Sequence, residues 1–217
     1  MKNNKTELVF ILDRSGSMSG LESDTIGGFN SMLKKQKGEP GEAFVTTVLF
    51  DTRFERKHDR VKLEDVAELT AADYIPGGCT ALLDAIGDTI RHIVHIHRYA
   101  RPEDVPEKTV FVIMTDGYEN ASHRFTRDAV KRMIEHEQEK YGWEFLFLGA
   151  NIDAIQTAGG IGIRADRTTN FNPDDVGVEL SFDAVTQAVG AIRERASVSR
   201  WWSKAVEADH AQRRSKR

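Results

Sequence analysis

Short, uninterrupted apolar runs alternate with amphipathic stretches along most of this sequence, and this alternation limits the folds open to it. Four runs are apolar on almost every residue: 8–12, 43–50, 110–114 and 145–148. Strands that are covered on both faces have this pattern. A fifth segment, 53–60, follows the second run after only Asp51 and Thr52 and is rich in charge. We predict that it returns as an antiparallel edge strand whose charges protect the sheet edge.

The stretches between the runs have the period of a helix. Leu82, Ile86, Ile90, Ile93 and Val94 fall on one helical face, and residues 25–37, 125–139 and 182–196 show the same kind of stripe. Strands that alternate with helices form parallel sheets covered on both sides. The sequence therefore predicts a doubly wound α/β fold: a mostly parallel central sheet with one antiparallel edge strand, and helices on both faces.

Length and charge divide the chain into a body and a tail. With 217 residues, the chain has room for one domain, which we place at residues 1–196, and a basic extension at 197–217 that is helical or disordered. Residues 193–217 hold eight Lys/Arg and three Asp/Glu, which is a net charge of +5. Because the whole chain has a net charge of −4, residues 1–192 have a net charge of −9. We expect a solvated tail and no nucleic-acid partner, because the body is acidic. Trp201-Trp202 either packs the tail onto the domain or anchors a partner.

Cysteine content and hydropathy indicate the compartment. The single cysteine, Cys79, excludes an internal disulfide and is typical of a reducing cytosol. The apolar run near the start is shorter than a signal-peptide core, and no run reaches the roughly 20 residues that cross a bilayer. We therefore expect a cytoplasmic protein with no membrane partner.

Oxygen-bearing side chains follow two of the predicted strands and lie in one glycine-rich loop. Asp13, Ser15 and Ser17 come after the first run, Asp116 follows the third run, and Thr80 ends the loop Pro-Gly-Gly-Cys-Thr. Ligands of open α/β sheets bind beyond the carboxyl ends of the strands. Two carboxylates and three hydroxyls, without His or Cys, suit a hard cation; Mg²⁺ is the expected ion, with Mn²⁺ and Ca²⁺ as alternatives. Taken singly, Ser17 and Thr80 are also typical helix N-caps.

Together the three motifs resemble the von Willebrand factor type A (VWA) domain. Its metal-ion-dependent adhesion site (MIDAS) has the pattern Asp-x-Ser-x-Ser, then a distant Thr, then a distant Asp. Every position is present here, as Asp13, Ser15, Ser17, Thr80 and Asp116, within the words Asp-Arg-Ser-Gly-Ser-Met, Gly-Gly-Cys-Thr-Ala-Leu and Thr-Asp-Gly. The resemblance covers about residues 6–196.

The resemblance implies a role for each of these residues. Ser15, Ser17 and Thr80 would ligate the ion directly, with Thr80 engaged chiefly when a partner binds, and Asp13 and Asp116 would orient hydroxyls and waters. A neutral hydroxyl shell leaves the ion open to an Asp or Glu from a partner protein. Gly78, Tyr118 and Glu119 would form the partner-binding rim. Since we find no other partner for Asp13 in the sequence, we expect Asp13→Ala to spare the fold.

A metal-dependent protein-interaction module that is not an enzyme is the function that this resemblance implies. Family members inside cells often work as adaptors in assemblies, some of them with ring-forming ATPases. The alternative is a Mg²⁺-dependent phosphotransferase or phosphatase resembling the haloacid-dehalogenase group. Those enzymes need Asp-x-Asp, and Ser15 stands at the second position here. A serine hydrolase would need Gly-x-Ser-x-Gly, which surrounds neither Ser15 nor Ser17.

Overall fold

A twisted, mostly parallel sheet forms the centre of the protein in the computed structural model, which describes residues 4–214. Within that range the sheet has six strands in the order β3-β2-β1-β4-β5-β6, and only β3 is antiparallel to its neighbour. The strands are β1 (Lys5–Asp13), β2 (Glu42–Phe50), β3 (Phe54–Lys62), β4 (Lys108–Thr115), β5 (Glu144–Gly149) and β6 (Thr168–Asn170). The predicted fold class and the charged antiparallel edge strand are confirmed.

Helices cover both faces of the sheet. They are α1 (Glu22–Lys37), α2 (Leu82–Tyr99), α3 (Arg127–Tyr141), α4 (Ala154–Gly160), α5 (Asp175–Arg193) and α6 (Lys204–Arg214). Alternate β1 side chains point to opposite cores: Leu8, Phe10 and Leu12 pack with α1, α5 and α6, while Val9 and Ile11 pack with α2, α3 and α4. This double burial explains why the strand sequences are continuously apolar.

The structure extends one predicted helix at its N-terminus and adds a strand that the hydropathy pattern did not predict. α5 begins at Asp175, seven residues before the predicted start at 182, because the Asp174 carboxylate caps the helix by accepting a 2.9 Å hydrogen bond from the Gly177 amide. β6 has only three residues, Thr-Thr-Asn. Its threonines are buried but are not apolar, so the sequence shows no hydrophobic run there.

Residues 197–214 pack against the body of the protein. The Trp202 side chain is 2% exposed, and its indole N–H donates a 3.0 Å hydrogen bond to the Asp166 carbonyl. Val206 of α6 is buried in the same core, whereas Trp201 remains 37% exposed. Of the two roles predicted for the tryptophan pair, Trp202 has the first: it packs the tail onto the domain. In the described part of the chain, no helix is both long and apolar enough to cross a membrane.

Candidate metal site at the carboxyl edge of the sheet

The strand order reverses between β1 and β4, and polar side chains collect where these two strands end. β1 pairs with β2 on one side and with β4 on the other, and Leu12 lies opposite Met114. Asp13, the last residue of β1, therefore lies beside the Thr115–Asp116 end of β4. Open α/β sheets bind their ligands in the crevice at such a reversal.

Protein donors occupy both oxygens of the Asp13 carboxylate. Oδ1 accepts a 2.7 Å hydrogen bond from the Ser15 amide, while Oδ2 accepts one of 2.6 Å from the Thr115 hydroxyl and one of 3.3 Å from the Asp116 amide. Burial raises the pKa of Asp13 above its usual range, although these hydrogen bonds lower it. The expectation that Asp13 has no other partner is wrong, because Asp13 organises both strand ends.

The three predicted hydroxyl ligands lie at this edge. The Oγ atoms of Ser15 and Ser17 are 3.1 Å apart. A side-chain carbon built on Gly117 would lie 3.4 Å from Thr80 Oγ1 and 3.5 Å from Ser17 Oγ, so these two hydroxyls border the same small space. Thr80 Oγ1 has no hydrogen-bond partner among the described residues, and the Ser17 hydroxyl contacts only Ser15.

The glycine-rich loop places Thr80 through backbone contacts. Gly78 has a φ of +69°, and a Cβ at this position would lie only 2.7 Å from Thr52 Oγ1, so glycine is required. The Gly78 carbonyl accepts a 3.2 Å hydrogen bond from the Gly16 amide. Thr80 exchanges two hydrogen bonds with Asn120: its amide donates to Oδ1 at 2.9 Å, and its carbonyl accepts from the Asn120 amide at 3.0 Å. A shift of Thr80 would therefore carry the 117–122 loop with it.

Glu119, a predicted rim residue, is engaged inside the protein. Ala81, which precedes the first residue of α2, does not cap the helix with its side chain. Glu119 supplies the missing acceptor: its Oε2 accepts a 2.8 Å hydrogen bond from the Leu83 amide. The other oxygen, Oε1, accepts from the Ser122 amide at 2.7 Å and from the Ala121 amide at 3.0 Å. Tyr118, in contrast, is 63% exposed beside the edge. Tyr118 is thus free to meet a partner, and Glu119 fixes the loop that carries it.

Asp116 combines a buried position with a free oxygen. Oδ1 accepts a short hydrogen bond from Nδ2 of Asn151, and no described residue donates to Oδ2. Burial raises the pKa of Asp116 to about 6; the Asn151 contact lowers it, and the charge of Asp13 raises it further. A divalent cation at this edge would offset both the lost hydration and the repulsion between the two carboxylates.

The donor set fits a hard divalent ion. Adjacent ligands of an octahedral Mg²⁺ ion with bonds near 2.1 Å are about 3.0 Å apart, close to the 3.1 Å between the serine hydroxyls. Among residues 4–214, no group of three or more His, Cys, Asp or Glu side chains could hold a metal. A site here would therefore need hydroxyls and water in addition to its two carboxylates, and such oxygen ligands suit Mg²⁺ and Mn²⁺ better than they suit softer ions.

Three residues support the site through contacts that the sequence analysis did not predict. Thr115 positions Asp13, Asn120 positions Thr80, and Asn151 positions Asp116. Asn151 lies two residues after the end of β5 and has a φ of +54°, a conformation in which asparagine is enriched. The position of Asn151 shortly after a predicted strand is the sequence feature that could have placed it at the carboxyl edge. Cys79, which precedes Thr80 in the glycine-rich loop, is exposed and does not pack into the core.

Comparison with known proteins supports the fold assignment. No protein-family model matches this sequence, and no curated protein matches it. Among solved structures, the vWF domain of the type V pili tip protein Mfa5 from Porphyromonas gingivalis matches with a TM-score of 0.59 at 12% identity, covering 89% of this chain and 98% of that one. The von Willebrand factor type A structure from Catenulispora acidiphila matches with a TM-score of 0.54 at 14% identity, covering 84% and 42%. The chain has a VWA fold.

A further structural match is a protein that binds metal at its own MIDAS motif. Proximal thread matrix protein 1 from the mussel byssus, with a zinc-occupied MIDAS motif, matches with a TM-score of 0.57 at 12% identity. The match covers 85% of this chain and 46% of that one. The chain thus spans less than half of the mussel protein, and at these identities the likeness concerns the fold.

Proposed function

We propose that this VWA chain is a metal-dependent protein-interaction module that binds an acidic residue of a partner through a divalent ion. The observation that carries the proposal is the set of three neutral hydroxyls beside two buried carboxylates at the β1/β4 edge. Ser15, Ser17 and Thr80 would hold the ion, while Asp13 and Asp116 would orient hydroxyls and waters. The VWA fold, shared with the zinc-binding mussel protein, supports the proposal.

The ion would supply a positive charge that its neutral ligands leave largely uncompensated. A carboxylate from a partner would then gain a charge-assisted contact that a neutral side chain cannot make. Water competes for the same position, so the contact alone is modest and neighbouring groups must add affinity. The exposed Tyr118 ring is a rim group suited to that task.

The contacts of Asp13 count against the phosphotransferase alternative. An attacking carboxylate needs an oxygen that faces the substrate, but hydrogen bonds from the protein hold both Asp13 oxygens. Ser15 stands where the second carboxylate of such an enzyme would lie. We expect no phosphatase turnover above background, and a rate that disappears in Ser15→Ala would overturn the proposal.

Calorimetric titration with Mn²⁺ and with Mg²⁺ tests the metal site. We expect one ion per chain for the wild type and none for the double variant Ser15→Ala/Ser17→Ala. Ser19→Ala is the matched control, because Ser19 is exposed and its side chain makes no hydrogen bond in the described chain. Unchanged binding in the double variant would refute the site.

Partner capture in the presence of Mg²⁺ or EDTA tests the interaction itself. We propose a cytoplasmic adaptor, whose partners belong to a larger assembly such as a ring-forming ATPase. Partners should be retained with Mg²⁺ and lost with EDTA and in Thr80→Ala. Substitution of one acidic residue of the captured partner should abolish its retention. Capture that is equal in EDTA would show that recognition uses another surface.

A further inference from the structure

A continuous groove runs between α2 and α3, away from the candidate metal site. It consists of two adjoining cavities of about 520 and 490 Å³, which share Val94, His136 and Glu137 in their linings. The first cavity is bounded by Phe125, just before α3, and the second by Trp143, just after it. The groove thus follows most of the length of α3.

The floor of the groove is apolar. Ile90 and Trp143 are 1% and 6% exposed, and the half-buried side chains of Val94, Phe125 and Met133 lie between them. Partly exposed apolar side chains that line a concave surface favour association with a complementary apolar face.

The rim of the groove is basic. Exposed side chains of like charge line it: Arg91, Arg98, Arg132 and Lys140. Among the described residues none of these four forms an ion pair with a carboxylate, whereas the surface residues Arg101, Arg124 and Arg164 each pair with an aspartate. This concentration of free positive charge contrasts with the net −9 of residues 1–192.

One buried carboxylate on the floor lacks a donor. Glu137 is 5% exposed, and its Oε2 has no hydrogen-bond partner in the described part of the protein. An unsatisfied buried acceptor of this kind is destabilising in the unliganded protein.

We propose that the α2/α3 groove docks an acidic amphipathic helix from a partner protein. Apolar residues of that helix would fill the floor between Phe125 and Trp143, and its Asp or Glu residues would pair with the rim arginines and Lys140. Such helix-in-groove binding uses anchors spaced by three and four residues. A nucleic acid fits less well, because the apolar floor offers few groups that can hydrogen-bond to base edges. The surface is independent of the metal site.

Methyl NMR of the full chain, in EDTA so that the metal site cannot contribute, tests this groove. The probe is a synthetic helical peptide of about four turns with Leu and Phe on one face and Glu on both flanks. The control peptide has the same composition in scrambled order. Of the methionines that the structure describes, Met133 alone lines the groove, so [¹³C-methyl]methionine labelling reports on it, and Met133→Leu assigns its signal. We expect the Met133 signal to shift with the helical peptide and not with the scrambled one.

Charge reversal on the rim should lower the affinity of the groove for the helical peptide about tenfold or more. A rise in salt from about 50 to about 300 mM should have a similar effect. The two variants are Arg91→Glu/Arg132→Glu and Arg98→Glu/Lys140→Glu. Because they lie at different parts of the rim, one remains informative if the other fails to fold. Arg53→Glu/Arg200→Glu changes the net charge equally on exposed arginines outside the groove and should bind as the wild type does. An unmoved Met133 signal, equal binding of the scrambled peptide, or tighter binding of a DNA oligonucleotide would overturn the proposal.

Discussion

The Thr115 hydroxyl donates a 2.6 Å hydrogen bond to Oδ2 of Asp13 and thereby joins the ends of β1 and β4. Both residues are buried, with 0% and 1% of their surface exposed. The contact holds the carboxylate in one orientation, and through the Ser15 amide on its other oxygen it also sets the direction of the loop that carries the serine hydroxyls.

Thr115→Val should weaken metal binding without touching the ion. The variant keeps the shape of the side chain but removes the donor, so Asp13 loses its shortest hydrogen bond. Loss of a contact that orients a ligand set typically costs about 10–100-fold in metal affinity, and loss of a hydrogen bond to a charged group costs about 1.5–3 kcal/mol of stability. Calorimetric Mn²⁺ titration and urea unfolding measure the two effects. Thr115→Ser, which retains the hydroxyl, should behave much more like the wild type, and equal affinities for all three proteins would contradict this role.

Asp13→Ala should destabilise the fold even without metal. The substitution leaves two buried backbone amides without an acceptor, and the Thr115 hydroxyl keeps only the Gly117 carbonyl at 3.4 Å. We expect a loss of about 2–4 kcal/mol in the free energy of unfolding in EDTA, since each unsatisfied donor costs about 1–3 kcal/mol and release of a buried charge offsets part of that. Asp13→Asn keeps one acceptor and should lose less. A variant as stable as the wild type would show that Asp13 serves only the ion.

Asp116→Asn should stabilise the metal-free protein at neutral pH while abolishing metal binding. Because the pKa of Asp116 is raised to about 6 in the folded state, the folded chain holds a proton more tightly than the unfolded chain. Stability from this group is present at about pH 4 and is lost as the pH rises through 6. In EDTA at pH 7.5 the variant should gain up to about 3 kcal/mol over the wild type, and the gain should shrink at pH 4.5. Urea unfolding at both pH values measures it, and a constant difference would refute the assigned cause.

Substitution of Glu119 should lower stability, whereas substitution of the neighbouring Tyr118 should weaken partner binding. Glu119→Ala removes the acceptor for the Leu83 amide at the start of α2 and should cost about 0.5–2 kcal/mol, the usual range for a lost helix cap. Tyr118→Ala should leave the free energy of unfolding within about 0.5 kcal/mol and weaken capture of the Mg²⁺-dependent partner. If Tyr118→Ala retains the partner fully, the rim lies elsewhere.

The two neighbouring tryptophans should differ sharply in their effect on stability. Trp202→Ala removes a side chain that is 2% exposed, and such a change costs about 3–5 kcal/mol. Trp201→Ala removes a side chain that is 37% exposed and should cost under about 1 kcal/mol. Thermal unfolding of both variants measures the difference. Similar losses would mean that Trp201 also fixes the tail to the body.

Local sequence determined five of the six strands that the structure describes, the charged edge and the set of candidate ligands. Apolar runs such as residues 8–12 can lie only between two layers of helix, because water on either side would be costly. The polar residues after those runs had to meet at the carboxyl edge once the strands were parallel. Asp13, Ser15, Ser17, Thr80 and Asp116 were therefore readable as a group from chain order alone.

Only the tertiary structure decided which groups support that set. Hydrogen bonds such as Thr115 to Asp13 and Asn151 to Asp116 join residues 102 and 35 positions apart, and no periodicity in the chain encodes such pairs. The burial of Trp202 and the free charges along the α2/α3 groove also depend on which helices become neighbours. Hydropathy is a property of a segment, whereas hydrogen-bond partners, desolvation and the pairing of charges are properties of the packed chain.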